Sequence, residues 1–176
     1  MVMTSKQLKV LNRMHGLSGK PLNCFIHNGN TYCVCDYYVV MFYGENKELI
    51  EQYPLHARDY PQIISNFMAG LKDCHSMTLP PEKEIREWCK AHRTTRTDNK
   101  VPLKVQDKLG RVFGFNPWYI IDAYDALKIG KVAVTIYVNQ AKDPVFFMSD
   151  EGLFMLMPVR LSSPFRWDYG PDGWEE

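Results

Sequence analysis

One continuous stretch, residues 112–161, constrains the fold of this chain more than any other. It opens on an aromatic strand pattern, Arg111–Phe115, which runs directly into Asn116-Pro117. Asn is a favoured N-cap and Pro is favoured at the first helical position, so a helix is predicted over 117–128, ended by Gly130. Three strand patterns joined by polar turns follow it. The stretch therefore predicts a strand, a helix and a run of antiparallel strands.

The helix predicted over 117–128 is amphipathic. Its apolar residues recur at close to helical spacing, at Trp118, Ile121, Ala123-Tyr124 and Leu127. Asp122, Asp125 and Lys128 are predicted to lie toward the other side. One face is thus expected to pack on a sheet and the other to carry mostly acidic groups.

The first 44 residues have a similar layout. Residues 4–15 predict a short helix, with Thr4 or Ser5 as its cap and Gly16 as its stop. Two strand patterns follow at 21–27 and 31–43, and the turn sequence Asn28-Gly29-Asn30 between them predicts a hairpin. The second pattern is long for one strand, and Asp36 is the expected break. Together with residues 112–161, this layout predicts an α+β fold with two helix-plus-antiparallel-strand units.

Residues 45–100 are less regular and are predicted to be a helical insertion. One helix is expected over 59–71, with Pro61 in its first turn, and a second over 80–92. We therefore predict a single domain over 1–161 with this insertion, followed by a C-terminal extension over 162–176.

The helix over 4–15 carries a basic stripe. Leu8, Leu11 and His15 are predicted to form its apolar face, and Lys6, Lys9 and Arg13 lie three and four residues apart on another face. Such a stripe is ordinarily a solvated surface; it becomes functional where the fold directs the helix at a polyanion. The formal net charge of +1 supplies no global attraction to nucleic acid, so any basic surface must be local.

The five cysteines indicate a reducing compartment. Their number is odd and no paired CxxC occurs, so they are predicted to be free thiols and no metal site is expected. No apolar run approaches the roughly 20 residues that span a bilayer, and the first residues lack the apolar core of a signal peptide. We expect a cytoplasmic protein without a membrane partner and without a cofactor.

Two groups of residues in the stretch 112–161 carry a family resemblance. Gly114-Phe115-Asn116, followed by Tyr119-Ile120-Ile121-Asp122-Ala123 and Ala126-Leu127, resembles the third-domain helix signature of the bacterial DNA polymerase sliding clamp, the β subunit. Met157-Pro158-Val159-Arg160-Leu161 resembles the run with which chains of that family end. The resemblance implies a DNA-clamp-like domain, with two helices side by side on the inner face of the sheets. A chain of this length has room for one such domain, so a ring would require a homo-oligomer or a partner.

The resemblance also implies two binding surfaces. The inner helices of the family contact DNA phosphates through Lys and Arg, a role that Lys6, Lys9 and Arg13 match here, whereas Asp122 and Asp125 depart from it. The family's apolar groove binds short linear peptides of replication proteins. The residues here that match its wall are Met155, Leu156, Met157, Pro158, Val159, Arg160 and Leu161. Phe165, Trp167 or Trp174 of the extension could occupy that groove.

Three functions are compatible with these observations. The first is a non-enzymatic, clamp-like replication accessory or processivity factor that binds replication proteins and, in this reading, duplex DNA. The second is a protein-interaction module or adaptor that keeps the clamp fold without encircling DNA. The third is a cysteine-dependent enzyme that pairs Cys74 or Cys89 with His56, His75 or His92, although no GxSxG, HExxH or P-loop motif is present.

Overall fold

The structure of the chain, a computed structural model, describes residues 2–56, 60–162 and 166–176 and has an α+β architecture. Its helices are Ser5–Met14 (α1), Lys47–Gln52 (α2), Tyr60–Ala69 (α3), Glu82–His92 (α4) and Pro117–Leu127 (α5). Its strands are Asn23–His27 (β1), Asn30–Val34 (β2), Tyr38–Phe42 (β3), His75–Leu79 (β4), Leu103–Gln106 (β5), Val112–Phe115 (β6), Val134–Val138 (β7), Val145–Ser149 (β8), Gly152–Leu156 (β9), Tyr169–Gly170 (β10) and Gly173–Trp174 (β11).

A seven-stranded antiparallel sheet forms the centre of the molecule, in the order β1-β2-β3-β9-β8-β7-β4. The β3–β9 pair joins the N-terminal hairpins to the C-terminal run, with Val40 opposite Phe154 in the register. A smaller four-stranded sheet has the order β11-β10-β5-β6. Its β10–β5 pair is parallel, and its other pairs are antiparallel.

Local sequence signals place the predicted element boundaries. Asn28 and Gly29 both have positive φ, 50° and 76°, as the two central residues of a type I′ hairpin turn require. The Thr4 side chain accepts a hydrogen bond from the backbone N–H of Gln7 and completes a capping box at the start of α1. The Asn116 side chain likewise accepts from the backbone N–H of Trp118, so α5 begins at Pro117 as predicted.

The main sheet buries both of its faces, because alternate side chains of each strand point to opposite sides. On one face α1 and α5 lie side by side over a core that includes Phe42, Phe147 and Phe154. On the other face Ile64 of α3 packs in a second core with Met155 and its neighbours. The first and last helices thus lie side by side on one face of the sheet, as the family resemblance implies.

The stretch 45–100 is more than a helical insertion. α3 and α4 confirm the two predicted helices within the described residues, while Asp59, the expected start of the first, lies outside them. The sequence interpretation missed α2 and also β4, which pairs with β7 at the edge of the main sheet. β4 holds only five residues with a mixed burial pattern, so it gives little periodic signal.

Two further elements take positions that differ from the prediction. β6, expected to precede a single run of strands, belongs to the smaller sheet. In the extension, β10 and β11 form a hairpin that pairs with β5, and Trp174 packs edge-on against Tyr169. Trp174 therefore contributes to the fold rather than to a groove, whereas Phe165 lies outside the described residues. Among the helices described, none combines the length and the apolar character needed to cross a membrane.

The buried face of α1 is formed by Gln7, Val10, Leu11 and Met14. Leu8, predicted on the apolar face, is 43% exposed, and His15 is exposed as well. Gln7 takes a buried position because its side-chain amide donates to the carbonyl of Ala126 at 2.9 Å, which ties α1 to α5.

Candidate functional site: an arginine–aspartate cluster and a groove beside Gly114

Acidic residues of α5 lie close to part of the predicted basic stripe of α1. Lys9 is exposed, and the Lys6 side chain is 69% exposed with its Nζ 3.9 Å from Asp125 Oδ1. Arg13 instead turns toward α5, where its Nη2 lies 2.6 Å from Asp122 Oδ1. The three residues thus share a surface of α1, but the acidic residues of α5 neutralise part of its charge.

Asp122 is the centre of a buried ion-pair network and does not lie on an exposed side of α5. Its side chain is fully buried and accepts hydrogen bonds from three residues. Arg13 donates to Oδ1 through Nε at 3.1 Å and Nη2 at 2.6 Å. Arg96 Nη1 and the Tyr38 hydroxyl donate to Oδ2 at 2.7 Å and 3.0 Å. These donors offset the cost of burying the carboxylate, which is why an aspartate is tolerated at this position.

Arg96 was not among the predicted site residues, because the loop over residues 93–100 is basic but carries no periodic signal. Its guanidinium lies over the Trp118 ring, 5.3 Å from the ring centroid. The loop itself is held by the Asn116 side-chain amide, which donates to the Arg96 carbonyl at 2.7 Å. Arg13 and Arg96, each 31% exposed at the side chain, therefore form the outer layer over the buried Asp122, and we call these three residues the arginine–aspartate cluster.

Aromatic side chains border the arginine–aspartate cluster. Tyr37 is 38% exposed and stacks on Tyr119, with 5.6 Å between the ring centroids. Burial, with the charge of Asp122 as a smaller contribution, raises the pKa of Tyr38 well above its usual value. Burial likewise raises the pKa of Tyr119 to about 12. Both hydroxyls are therefore neutral donors at physiological pH.

A groove of about 370 Å³ runs beside β6 at the far end of the predicted peptide-binding segment. Val159 bridges Gly114 in antiparallel fashion, and its N–H donates to the Gly114 carbonyl at 2.8 Å. A Cβ at position 114 would lie 2.6 Å from Leu161 Cδ2 and 3.0 Å from the Val159 carbonyl oxygen, so any larger residue would require the Leu161 side chain to move. The groove is lined by Val112, Gly114, Ala141, Lys142, Val159, Arg160 and Leu161, and we call it the Gly114 groove.

The structure divides the predicted groove residues into two sets. Met155 and Leu156 lie in β9 and are 5% and 1% exposed, because they pack into the two cores on opposite faces of the sheet. Their assignment to a groove wall is therefore wrong. Met157 is 42% exposed and Pro158 is half-buried, and neither lines the Gly114 groove. Val159, Arg160 and Leu161 do line it, together with residues that the sequence interpretation missed.

Neither Cys74 nor Cys89, the two predicted nucleophile candidates, has the lowered pKa of an activated thiol. Burial raises the pKa of Cys35 to about 11 and also raises the pKa of Cys74 and Cys89. His75, beside Cys74 in the chain, is engaged with Asp107 at 2.9 Å. A thiol with a raised pKa carries little thiolate near neutral pH, so these thiols are poor nucleophiles. The described residues contain no group of three or more His, Cys, Asp or Glu arranged to hold a metal ion.

Comparison with known proteins gives a distant structural likeness. No protein-family model matches the chain, and no curated protein matches it. Among solved structures, the chain is similar to a protein from Eubacterium rectale that is provisionally described as a DNA polymerase III beta subunit. The identity is 17% and the TM-score is 0.40 over 80% of this chain. The chain spans only 41% of the length of that protein.

Proposed function

We propose that this chain is a non-enzymatic protein-interaction module that binds a short extended segment of a partner protein in the Gly114 groove. The observation that carries the proposal is the groove itself. Its walls are apolar at Val112, Val159 and Leu161, and the close contact at Gly114 holds the 159–161 segment in place. Preformed apolar grooves with a few polar groups are the usual form of sites for linear peptides.

The charge at the groove indicates the kind of peptide. Lys142 and Arg160 are exposed lining residues, and no carboxylate side chain is among the lining residues. A segment that combines apolar residues with Asp or Glu would match both the walls and the cations. The resemblance of residues 157–161 to the C-terminal run of the sliding clamps supports replication proteins as the partners, in a domain related to the clamp fold.

Peptide binding can be tested by fluorescence anisotropy with labelled synthetic peptides from replication polymerase and clamp-loader subunits of the same organism. Val159→Asp places a charge in the apolar wall and is expected to weaken binding by about tenfold or more. Val132→Asp is the matched control, because Val132 is 72% exposed and does not line the groove. Equal affinities of the two variants, or failure of every acidic and apolar peptide to bind, would refute the proposal.

A second candidate function is binding of duplex DNA through α1. It is favoured by the layering of charge, because Lys6 and Lys9 are exposed whereas the side chains of Asp122 and Asp125 are only 0% and 11% exposed. The cations therefore lie between the acids and the solvent. Phosphate contacts of this kind would be independent of sequence and sensitive to salt.

The DNA test compares two charge-reversal pairs. Lys6→Glu with Lys9→Glu is expected to abolish low-salt binding to a duplex, and Lys108→Glu with Lys131→Glu, also at exposed positions, leaves it intact. Absence of binding by the unaltered protein at low salt would remove this function. Light scattering adds the oligomeric state: an interaction module is expected as a monomer or dimer, whereas a ring-sized oligomer would favour a DNA clamp.

A further inference from the structure

Two buried cysteines face each other across the hairpin at one edge of the main sheet. Cys24 of β1 and Cys33 of β2 are directly opposed in the antiparallel register, and their Sγ atoms lie 3.3 Å apart. Both side chains are fully buried in the core beneath α1 and α5. Neither residue lines the Gly114 groove, so the pair is independent of the proposed peptide binding.

The hairpin turn decides how closely the two backbones approach at this pair. The turn at Asn28-Gly29 makes His27 and Asn30 the first opposed pair of the hairpin, which is a hydrogen-bonded pair. Hydrogen-bonded and non-hydrogen-bonded pairs alternate along antiparallel strands, so the two cysteines, three pairs further along, form a non-hydrogen-bonded pair. Accordingly, the backbone N–H of Cys24 points away from β2 and donates to the Tyr53 carbonyl at 2.8 Å. The Cα atoms of such pairs lie about 4.5 Å apart, which is within the range that a disulfide spans.

A third cysteine lies close to the pair in the sequence but makes a different contact. Cys35 follows Cys33 by two residues, in the segment that joins β2 to β3. Its Sγ donates to the Tyr38 carbonyl at 3.4 Å, in the turn before β3. A disulfide of Cys33 is therefore expected with Cys24 across the hairpin, and Cys35 provides the matched control.

We propose that Cys24 and Cys33 form a redox modification site, where hydrogen peroxide joins the two thiols in a reversible disulfide. The sulfur of one cysteine attacks a peroxide oxygen, the O–O bond breaks, and a sulfenic acid and a water molecule result. The second sulfur then attacks the sulfenic sulfur, so the S–S bond forms, the S–O bond breaks and a second water molecule leaves. In each step the thiol proton goes to the leaving hydroxide, and the electrons lost by the thiols reduce the peroxide. A dithiol reductant reverses the modification by thiol–disulfide exchange.

The position of the pair determines which oxidant reaches it and how fast it reacts. β1 is an edge strand of the main sheet, so local opening of the hairpin gives a small oxidant access to both sulfurs. The hydrogen bond from Cys24, together with burial, raises the pKa of Cys33 well above its usual value. Because the thiolate is the reactive form, the disulfide is expected to form slowly near neutral pH.

The test treats the reduced full chain with hydrogen peroxide and then alkylates the remaining free thiols with iodoacetamide under denaturing conditions. Chymotrypsin cleaves after Phe25, Tyr32 and Tyr37, so it separates Cys24 from a peptide that contains both Cys33 and Cys35. Tandem mass spectrometry is expected to find these two peptides cross-linked, with the alkyl group on Cys35. Treatment with dithiothreitol before alkylation should return both peptides uncoupled.

Variants and a stability measurement complete the test. Cys24→Ala and Cys33→Ala are each expected to abolish the cross-link, whereas Cys35→Ala retains it, with folding of all three checked by circular dichroism. In the unaltered protein, oxidation is expected to raise the thermal midpoint by about 5 °C or more, because the bond constrains the unfolded chain. The proposal is overturned if peroxide produces no Cys24–Cys33 link in the unaltered protein, if folded Cys35→Ala loses the link, or if the oxidised protein melts no higher than the reduced one.

Discussion

Replacement of Asp122 by alanine is expected to be one of the most destabilising single substitutions outside the apolar core. The substitution removes the carboxylate that Arg13 and Arg96 share and also the acceptor of the Tyr38 hydroxyl. Tyr38 is 2% exposed, so its hydroxyl would be left without an acceptor in the interior. The two arginines are each 31% exposed at the side chain and can regain contact with water.

The magnitude follows from these two contributions. Removal of one partner of a buried ion pair destabilises by roughly 3–5 kcal/mol, and the partial exposure of both arginines places this case at the lower end. An unsatisfied buried hydroxyl adds about 1 kcal/mol or more. We therefore expect the free energy of unfolding to fall by about 4 kcal/mol, which corresponds to a decrease of about 2 M in the urea midpoint for an m value near 2 kcal/mol/M.

Urea unfolding followed by the fluorescence of the four tryptophans measures this change. Asp36→Ala is the matched control, because the Lys20–Asp36 pair at 3.2 Å is exposed on both sides. Such surface pairs contribute about 0–1 kcal/mol. If Asp122→Ala lowers the free energy of unfolding by no more than Asp36→Ala does, Asp122 is not the buried junction of α1, α5 and the Arg96 loop that the structure describes.

Two further predictions concern other parts of the fold. Burial alone would raise the pKa of Asp107, but hydrogen bonds from His75 and Arg111 outweigh it and lower that pKa below its ordinary 3.8. The stabilisation by Asp107 is then complete above about pH 4 and is lost as the pH falls through the folded pKa. The urea midpoint of Asp107→Asn should therefore be lower than that of the unaltered protein at neutral pH and should decline less on acidification. Parallel plots of urea midpoint against pH for the two proteins would contradict this. Gly152→Ala is expected to lower the free energy of unfolding by at least about 2 kcal/mol. The reason is that φ at residue 152 is 154° and a Cβ there would overlap the Met41 carbonyl oxygen. An unchanged thermal midpoint would refute the close approach of β3 and β9.

Local signals explain why most elements could be predicted from the sequence. The type I′ turn at Asn28-Gly29 and the Asn116-Pro117 helix start depend on backbone preferences of a few adjacent residues. These preferences act before any tertiary contact forms. Local signals cannot predict elements that depend on distant partners. β4 and the β10–β11 hairpin are short, and their conformation depends on the strands with which they pair.

The candidate sites also combine residues that the sequence indicates with residues that only tertiary contacts bring together. The sequence indicated Val159, Arg160 and Leu161, and these residues do line a groove, but Met155 and Leu156 of the same run are buried. Met155 and Leu156 are buried because successive side chains of β9 point to opposite faces of the sheet and each face is covered by a helix. The sequence predicted α3 as a helix but did not predict that it covers the second face. Arg96 lies 26 residues before Asp122, so no spacing rule could pair them.

The sequence by itself determined the α+β class, the start and end of α1 and α5, and the hairpin of β1 and β2, because capping, turn chemistry and hydrophobic periodicity are short-range properties. Only the tertiary structure decided that Asp122 is buried between two arginines, that β6 leaves the main sheet, and that Gly114 admits the 159–161 segment. Each of these depends on which distant segments meet in the folded chain. Burial and the pairing of charges follow from those contacts, and no local pattern encodes them.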